Sequence, residues 1–279
     1  MTSSNNNTVS IVTWNINSVR FRLDLVERFI DIYKPDVLCL QETKCIDDSF
    51  PLGFFHKLGY PHIALKGQKA YHGVATISRW PIADIDRMEF CGKQDARHVA
   101  TRFADDAHPA LAGIELHNFY VPAGGDIPDR EKNEKFGHKL DFLKEMTGWS
   151  KGLNGSRGAG TMLVGDLNIA PLETDVWSHK QLVKVVSHTP IEVDHLNDMQ
   201  QAGNWVDVIR NHIPPDDKCF TWWSYRSPNW AKSNKGRRLD HVWADKGVAA
   251  RTKSVEVLRD VRGWEKPSDH APVITYIEN

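Results

Sequence analysis

The chain has 279 residues and a near-balanced charge, 35 Lys and Arg against 36 Asp and Glu, for a net charge of −1. Nothing in it reads as a secretory leader or a membrane span, because no apolar run approaches the roughly 20 residues that a bilayer requires. A near-neutral sequence also differs from the strongly basic chains that hold nucleic acid by bulk charge, so any such role must rest on a local concentration of positive residues.

Residues 1–8 are polar and rich in Asn and Ser, and read as a frayed end. No Pro-, Gly- or Ser-rich linker divides the remainder, so one domain is expected over residues 9–279. Residues 10–13 form a short β-branched strand. Val19, Leu23, Val26, Ile30 and Tyr33 follow a helical rhythm that Pro35 stops. Residues 37–40 read as a buried strand, and residues 73–78 and 111–121 as further strands. Phe136, Leu140 and Leu143 mark a helix ending near Gly148. Residues 161–164, 239–243, 254–258 and 273–277 complete the strands. The periodicity supports α/β or α+β and does not choose between them. Cys39, Cys45, Cys91 and Cys219 form no CxxC pair and read as reduced thiols of a cytoplasmic protein.

Short polar clusters punctuate this pattern, and most directly follow an apolar run. They are Trp14-Asn15-Ile16-Asn17, Gln41-Glu42-Thr43-Lys44, Gly165-Asp166-Leu167-Asn168, Arg238-Leu239-Asp240-His241 and Ser268-Asp269-His270. Carboxylates, amides and an imidazole at strand ends are the equipment of metal-assisted phosphate-ester hydrolysis. A second signal lies between residues 226 and 238. This stretch holds Arg226, Lys232, Lys235, Arg237 and Arg238 and no acidic residue. Alone it would be a solvated loop. Trp222, Trp223 and Tyr225 stand beside it, and basic side chains next to aromatics suit phosphates next to bases.

With Tyr120-Val121-Pro122, the segment from Thr221 to Ser227 (Thr-Trp-Trp-Ser-Tyr-Arg-Ser) and Glu265-Lys266-Pro267 before Ser268, these clusters resemble the exonuclease III family of DNA-repair nucleases, over nearly the whole chain. The resemblance implies a four-layer sandwich, two packed β-sheets flanked by helices. It implies an Mg²⁺-dependent enzyme, with Mn²⁺ as a substitute, acting on double-stranded DNA in base excision repair as a cytoplasmic monomer. Such an enzyme cleaves 5′ to abasic sites and trims 3′ ends. Glu42 would be the main metal ligand, with Asn15 and Asp269 as companions. Asp166, Asn168 and His270 are candidates for a second ion, and whether one or two act stays open. These are hard oxygen donors for the most part, which suit Mg²⁺ or Mn²⁺ better than Zn²⁺.

The same resemblance assigns Asp166 as general base, Asn168 and His270 as donors to phosphate oxygens, Asp240 as the partner of His270, and Tyr120 as a contact near the leaving group. Asn17, Arg97, Trp222, Arg226, Arg237 and Arg238 would contact DNA, with Trp222 walling a pocket for a base-less deoxyribose. One departure is visible: Ala123 follows Tyr120-Val121-Pro122 where the best-known members carry Gln or Asn. Two other readings share parts of this pattern. A superfamily phosphoesterase acting on small-molecule or lipid phosphoesters would share the metal site and lack the Trp-Trp segment. A non-catalytic nucleic-acid-binding relative would have no chemical need for the intact polar set.

Overall fold

The computed structural model describes residues 7–153 and 159–279. In chain order its strands are β1 (Thr8–Asn15), β2 (Val37–Gln41), β3 (His62–Lys66), β4 (Val74–Ser78), β5 (Ile82–Asp86), β6 (His98–Phe103), β7 (Glu115–Tyr120), β8 (Thr161–Asp166), β9 (Val206–Asp207), β10 (Trp222–Trp223), β11 (Gly236–Arg237), β12 (Asp240–Ala244), β13 (Thr252–Val257) and β14 (Val273–Glu278). The helices used below are α1 (Leu23–Tyr33), α2 (Leu52–Lys57), α3 (Glu134–Gly152), α4 (His179–Leu182) and α5 (Pro190–Ala202). Two six-stranded sheets form, in the orders β13-β14-β1-β2-β4-β3 and β5-β6-β7-β8-β12-β9.

Each sheet has the same centre. A parallel pair, β1 with β2 or β7 with β8, is joined through a helix, α1 or α3, and flanked by antiparallel strands. A parallel pair needs such a crossover, and its two carboxyl ends then emerge on one edge. The central strands are buried on both faces: β2 and β8 have no accessible residue. Period-2 alternation sorts their side chains. Val9, Ile11, Val37, Cys39, Leu116, Met162, Val164 and Val242 meet in the apolar layer between the sheets. Val12, Trp14, Leu38 and Leu40 point the other way, onto Val26, Phe29 and Ile30 of α1. Leu163 and Trp243 do the same against Phe142, Leu143 and Met146 of α3 and Leu196 and Met199 of α5. The result is helix, sheet, sheet, helix.

The inter-sheet layer turns polar toward one edge. Gln41 donates to Thr13 Oγ1 at 3.0 Å and to Asn118 Oδ1 at 2.8 Å. Asn118 donates in turn to the carbonyls of Leu40 and Ala75. The same parity continues outward to Asn15, Tyr120, Asp166 and Asp240, so the sheet register that buries Ile11 and Val164 also aims these polar groups at one place.

Several expectations are corrected. Thr8 is not frayed, because it pairs with Glu278 at the start of β1; the rest of the expected tail, up to residue 6, lies outside the described residues. The strand expected from residue 111 starts at Glu115, since Ile114 N–H turns back onto the Leu111 carbonyl. The helix expected to stop near Gly148 runs on to Gly152. A glycine there costs only about 1 kcal/mol, which tertiary packing of α3 overrides. Strands β3, β5 and β6 and helix α5 carry no expectation from periodicity. The start of α5 was nonetheless written in the chain, as a capping box in which the Thr189 side chain meets the N3 backbone and Glu192 reaches back. Among the described residues no helix is long and apolar enough to cross a membrane.

One glycine fixes how close β7 and β8 come. Gly165 has φ +141, and a Cβ there would sit 2.0 Å from the Phe119 carbonyl oxygen. Gly165→Ala is expected to lose about 3 kcal/mol of stability, since strained backbone and a backbone clash coincide. Chemical denaturation of the two proteins checks this; a loss under 1 kcal/mol, on the order of an ordinary surface change, would refute the tight approach.

Candidate active site

The polar edge is built from four strand ends and one returning segment. Asn15 ends β1, Glu42 follows β2, Tyr120 ends β7 and Asp166 ends β8. Strand β12 runs antiparallel to β8 with Asp240 opposite Asp166, so its first residue arrives where β8 stops. The segment before β14 is pinned from two sides. Ser268 Oγ donates to the Asn15 carbonyl at 2.6 Å, and the buried Trp14 indole donates to the His270 carbonyl at 3.0 Å. Strand β10 then pairs with it through Trp223 N–H to the Asp269 carbonyl and Ala271 N–H to the Thr221 carbonyl. That pairing carries Trp222 into the site.

Within this frame the side chains contact one another directly. The Asn15 amide donates to Glu42 Oε1 and to Asp166 Oδ2, each at 2.9 Å. Asn17 N–H donates to Asn15 Oδ1, and the Asn17 amide donates to Asp269 Oδ1 at 3.1 Å. Trp222 Nε1 donates to the other Asp269 oxygen at 2.9 Å. Lys44 Nζ lies 2.8 Å from Glu42 Oε2 and donates to Asn17 Oδ1 at 2.6 Å. His270 Nδ1 is 2.8 Å from Asp240 Oδ2, and its Nε2 is 3.7 Å from Asp166 Oδ2. Asn168 donates from its backbone to Asp166 Oδ1 and from its amide to the Val121 carbonyl. Glu42, Asn17 and Asn168 all have left-handed backbones, with φ of 52, 48 and 56. Non-glycine residues enter that region at strain, and such strain clusters at functional sites.

Burial and neighbouring charge set the protonation. Burial alone would lower the His270 pKa; the carboxylates of Asp240 and Asp166 and the hydrogen bond to Asp240 outweigh it and push it up to about 10. Both carboxylates thus favour the charged, imidazolium form of His270. Asp166 moves the opposite way from an ordinary carboxylate: burial raises it, Asp240 adds to the rise, and His270 and Asn15 offset only part. Burial also acts upward on Glu42, yet Lys44, the Asn15 hydrogen bond and His270 bring its pKa below the usual range. Tyr120 is held well above an ordinary phenol by burial and by the charges of Glu42 and Asp166, so it keeps its proton.

These groups open on a cleft of about 790 Å³, lined also by Ser187, Trp222, Arg226, Lys235 and Arg237. Glu42 and Asp269 bring carboxylates to this edge, and Asn15 and Asn17 turn their amide N–H groups toward them. Asp166, Asp240 and His270 form a second buried group whose ligand atoms lie within 4.8 Å of each other. One Asp240 oxygen, Oδ1, is buried without a hydrogen-bond partner. An ionised carboxylate with amide and carboxylate companions, and no thiolate nearby, fits a hard divalent cation.

The structure gathers Asn15, Asn17, Glu42, Tyr120, Asp166, Asn168, Trp222, Asp240, Asp269 and His270, and places Arg226 and Arg237 on the cleft wall. Arg237 is half-buried, donating to the Val186 carbonyl and Ser187 Oγ beside the Trp222 ring. Two expected DNA contacts are corrected. Arg238 is fully buried, with Nε and Nη2 on the two oxygens of Asp175 and Nη1 on Asp207. Arg97 is 6% exposed. It is held by Asp95 and donates to the Tyr120 carbonyl beneath the Tyr120 ring. Neither guanidinium is free to meet a phosphate. Trp223, by contrast with Trp222, is core, packed edge-on against Phe220 and Trp230. Sequence reasoning did not single out Trp14 or Ser268 as anchors, although both stand inside the quoted clusters. It also passed over Lys139 and Glu192, a buried pair far apart in sequence that no local pattern marks.

Two stacked sheets with ionised carboxylates, amides and an imidazolium at one edge define a metal-assisted phosphoesterase. The endonuclease/exonuclease/phosphatase family model matches residues 12–270, and the chain belongs to that family. It is 29% identical to exodeoxyribonuclease III of Haemophilus influenzae over 95% of this chain and 98% of that one. The structure of an AP endonuclease from Archaeoglobus fulgidus superposes with a TM-score of 0.87 at 30% identity, over 97% of this chain and 100% of that one. A 3′ phosphatase from Neisseria, solved with a product DNA hairpin, gives 0.87 at 28% identity over 97% of this chain and 100% of that one.

The corrected arginines generate a contrast. Arg238→Ala leaves Asp175 buried with one partner fewer and should cost about 3–5 kcal/mol of stability. At a temperature where the variant is folded, the slope of log DNA affinity against log salt should not change. Arg226→Ala should do the reverse: unchanged melting and a slope flatter by about 0.9. Fluorescence anisotropy across a salt series, with melting curves, checks both.

Proposed function

We propose that this protein is a DNA-repair phosphodiesterase that incises 5′ to abasic sites and removes nucleotides or blocking groups from 3′ ends of duplex DNA. One observation carries the reading. A hard-cation site and an Asp240–His270 imidazolium meet at the same edge of a cleft whose wall holds Trp222, Arg226 and Arg237. The named activities of the Haemophilus, Archaeoglobus and Neisseria relatives support it.

In this reading Glu42, Asn15 and Asp269 would hold Mg²⁺, or Mn²⁺ in its place, which when bound would supply positive charge at the phosphate oxygens. Asp166, basic because it is buried, accepts a proton from the attacking water as the new P–O bond forms. His270 Nε2 donates to a non-bridging phosphate oxygen, and Asp240 fixes both its charge and its orientation. The Asn168 amide, with one N–H on the Val121 carbonyl, has a second to donate to the phosphate. Tyr120 keeps its proton and lies beside Glu42, placed to donate to the leaving O3′. Trp222 and Leu239 wall the space for a sugar without a base, and an intact nucleotide is rejected by size.

The test uses a labelled duplex with one abasic analogue, incubated with Mg²⁺ or with EDTA, and products resolved by length. Expected is one cut 5′ to the analogue, abolished by EDTA. Glu42→Gln should lower turnover at limiting Mg²⁺ by about 100-fold or more. Robust cleavage in EDTA would sink the reading. In single-turnover assays on bound DNA, His270→Asn and Asp240→Asn should each slow cleavage strongly, and the double variant should be little worse than either, since one residue serves the other. Additive losses would dissolve that pair.

A further inference from the structure

Three loops on the cleft wall come from different parts of the chain: Ala123 after β7, Asn168 after β8 and Ser187 before α5. Behind them lies a lysine that no water reaches. Lys139, on α3, has no accessible surface. Its ammonium donates to the Asn168 carbonyl at 2.8 Å, the Ala123 carbonyl at 3.4 Å and Glu192 Oε1 at 2.5 Å. An ammonium has three N–H groups, and each has its acceptor. Glu192, equally buried, receives Ser187 N–H on both oxygens at 2.9 Å, and Thr189 N–H and Oγ1 on one of them. One ion pair thus ties the three loops together from outside the cleft.

Such an arrangement is not needed for burial. Replacing a buried ion pair by apolar groups of similar volume is often neutral for stability, whereas breaking it on one side is strongly destabilising. Packing can fill this space. It cannot hold two backbone carbonyls at fixed distance from one point. Asn168 sits in a left-handed conformation, with its backbone N–H on Asp166 and its amide on Val121, so its aim depends on where its carbonyl is anchored. We propose that Lys139 and Glu192 are positioning residues for the phosphodiester hydrolysis, acting through the Asn168 and Ala123 carbonyls and the Ser187 loop. This rests on the function proposed above. Misplacement of a reacting group by about 1 Å lowers a rate by about 100-fold, which sets the scale of the effect.

The experiment compares wild type, Lys139→Met, Glu192→Gln and the double variant Lys139→Met/Glu192→Gln. Single-turnover cleavage of the abasic duplex is measured with enzyme in excess, alongside DNA affinity and melting temperature. With enzyme in excess, an unfolded fraction lowers the amplitude and leaves the rate constant of folded molecules unaltered. The double variant leaves the Asn168 and Ala123 carbonyls without their donor and should melt below wild type. Its folded molecules should bind DNA within threefold, on the order of what an unaltered surface gives, and cleave about 100-fold more slowly. Glu192→Gln retains an acceptor for Ser187 and Thr189 but leaves the Lys139 ammonium without its anion, so it too should melt below wild type, and the rate constant of its folded molecules should fall in between. A double variant or Glu192→Gln that cleaves at the wild-type rate constant would overturn the proposal, leaving the pair as packing. Failure of the wild type to cleave would instead overturn the phosphodiesterase reading.

Discussion

The rest of this structure depends on crowding of carboxylates at a buried edge. Glu42, Asp166 and Asp269 line one cleft with Asp240 buried behind His270, and among the described residues the cationic groups that touch them are Lys44 and His270. Carboxylates taken from water repel one another unless each finds a donor. Asn15 bridges two of them with one amide, and Asn17 and Trp222 hold Asp269. The upward shift of Asp166 and the bare Oδ1 of Asp240 show where compensation runs short. A divalent cation matches that imbalance. The same imbalance raises Asp166 above an ordinary carboxylate, the direction that the proton abstraction proposed above requires.

The two-sheet frame makes the crowding possible. A single sheet would place Asn15 and Glu42 on one edge and nothing opposite. Here each sheet contributes a parallel pair joined through a helix, and the carboxyl ends of both pairs emerge side by side. The antiparallel neighbours β12 and β14 begin at that edge, which lets Asp240 and His270 face the ends of β8 and β1. The polar layer of Thr13, Gln41 and Asn118 separates this edge from the apolar interior and holds Leu40 and Ala75 by their carbonyls. Strand parity therefore links core packing to chemistry. A one-residue slip of β8 would turn Asp166 toward the α3 layer and Leu163 toward the other sheet.

Much of this was legible in the chain. Apolar runs leading to Asn15, Glu42 and Asp166 marked both strands and site, because the end of a buried strand is the first place a polar group is readily tolerated, and His270 was legible from the Ser268-Asp269-His270 cluster just before the run that forms β14. The helix α1 was readable from period and from Pro35. Strands β3, β5 and β6 were not, since residues such as His62, Lys66, Asp84 and Arg102 break the alternation on exposed or edge positions. Helix α5 has only a weakly amphipathic sequence, and its capping box was the better signal. The Lys139–Glu192 pair could not be read at all, because a buried lysine has the same letter as a solvated one.

The arginines carry the same lesson further. Counting positive residues between 226 and 238 suggested a uniform phosphate-tracking surface. In the fold the run divides by register. Arg226 lies exposed, Lys235 packs over Trp177 at the cleft, and Arg237 reaches the cleft wall. Arg238, one residue later, points to the opposite side into Asp175 and Asp207, where it shares Asp175 with Arg210. Arg97 is likewise neutralised by Asp95. Part of the positive charge is thus cancelled inside the protein by acidic residues distant in sequence. A net charge near zero is then compatible with a positive cleft rim, because net charge sums over ion pairs that no ligand can see, while a polyanion responds only to the charges left facing it.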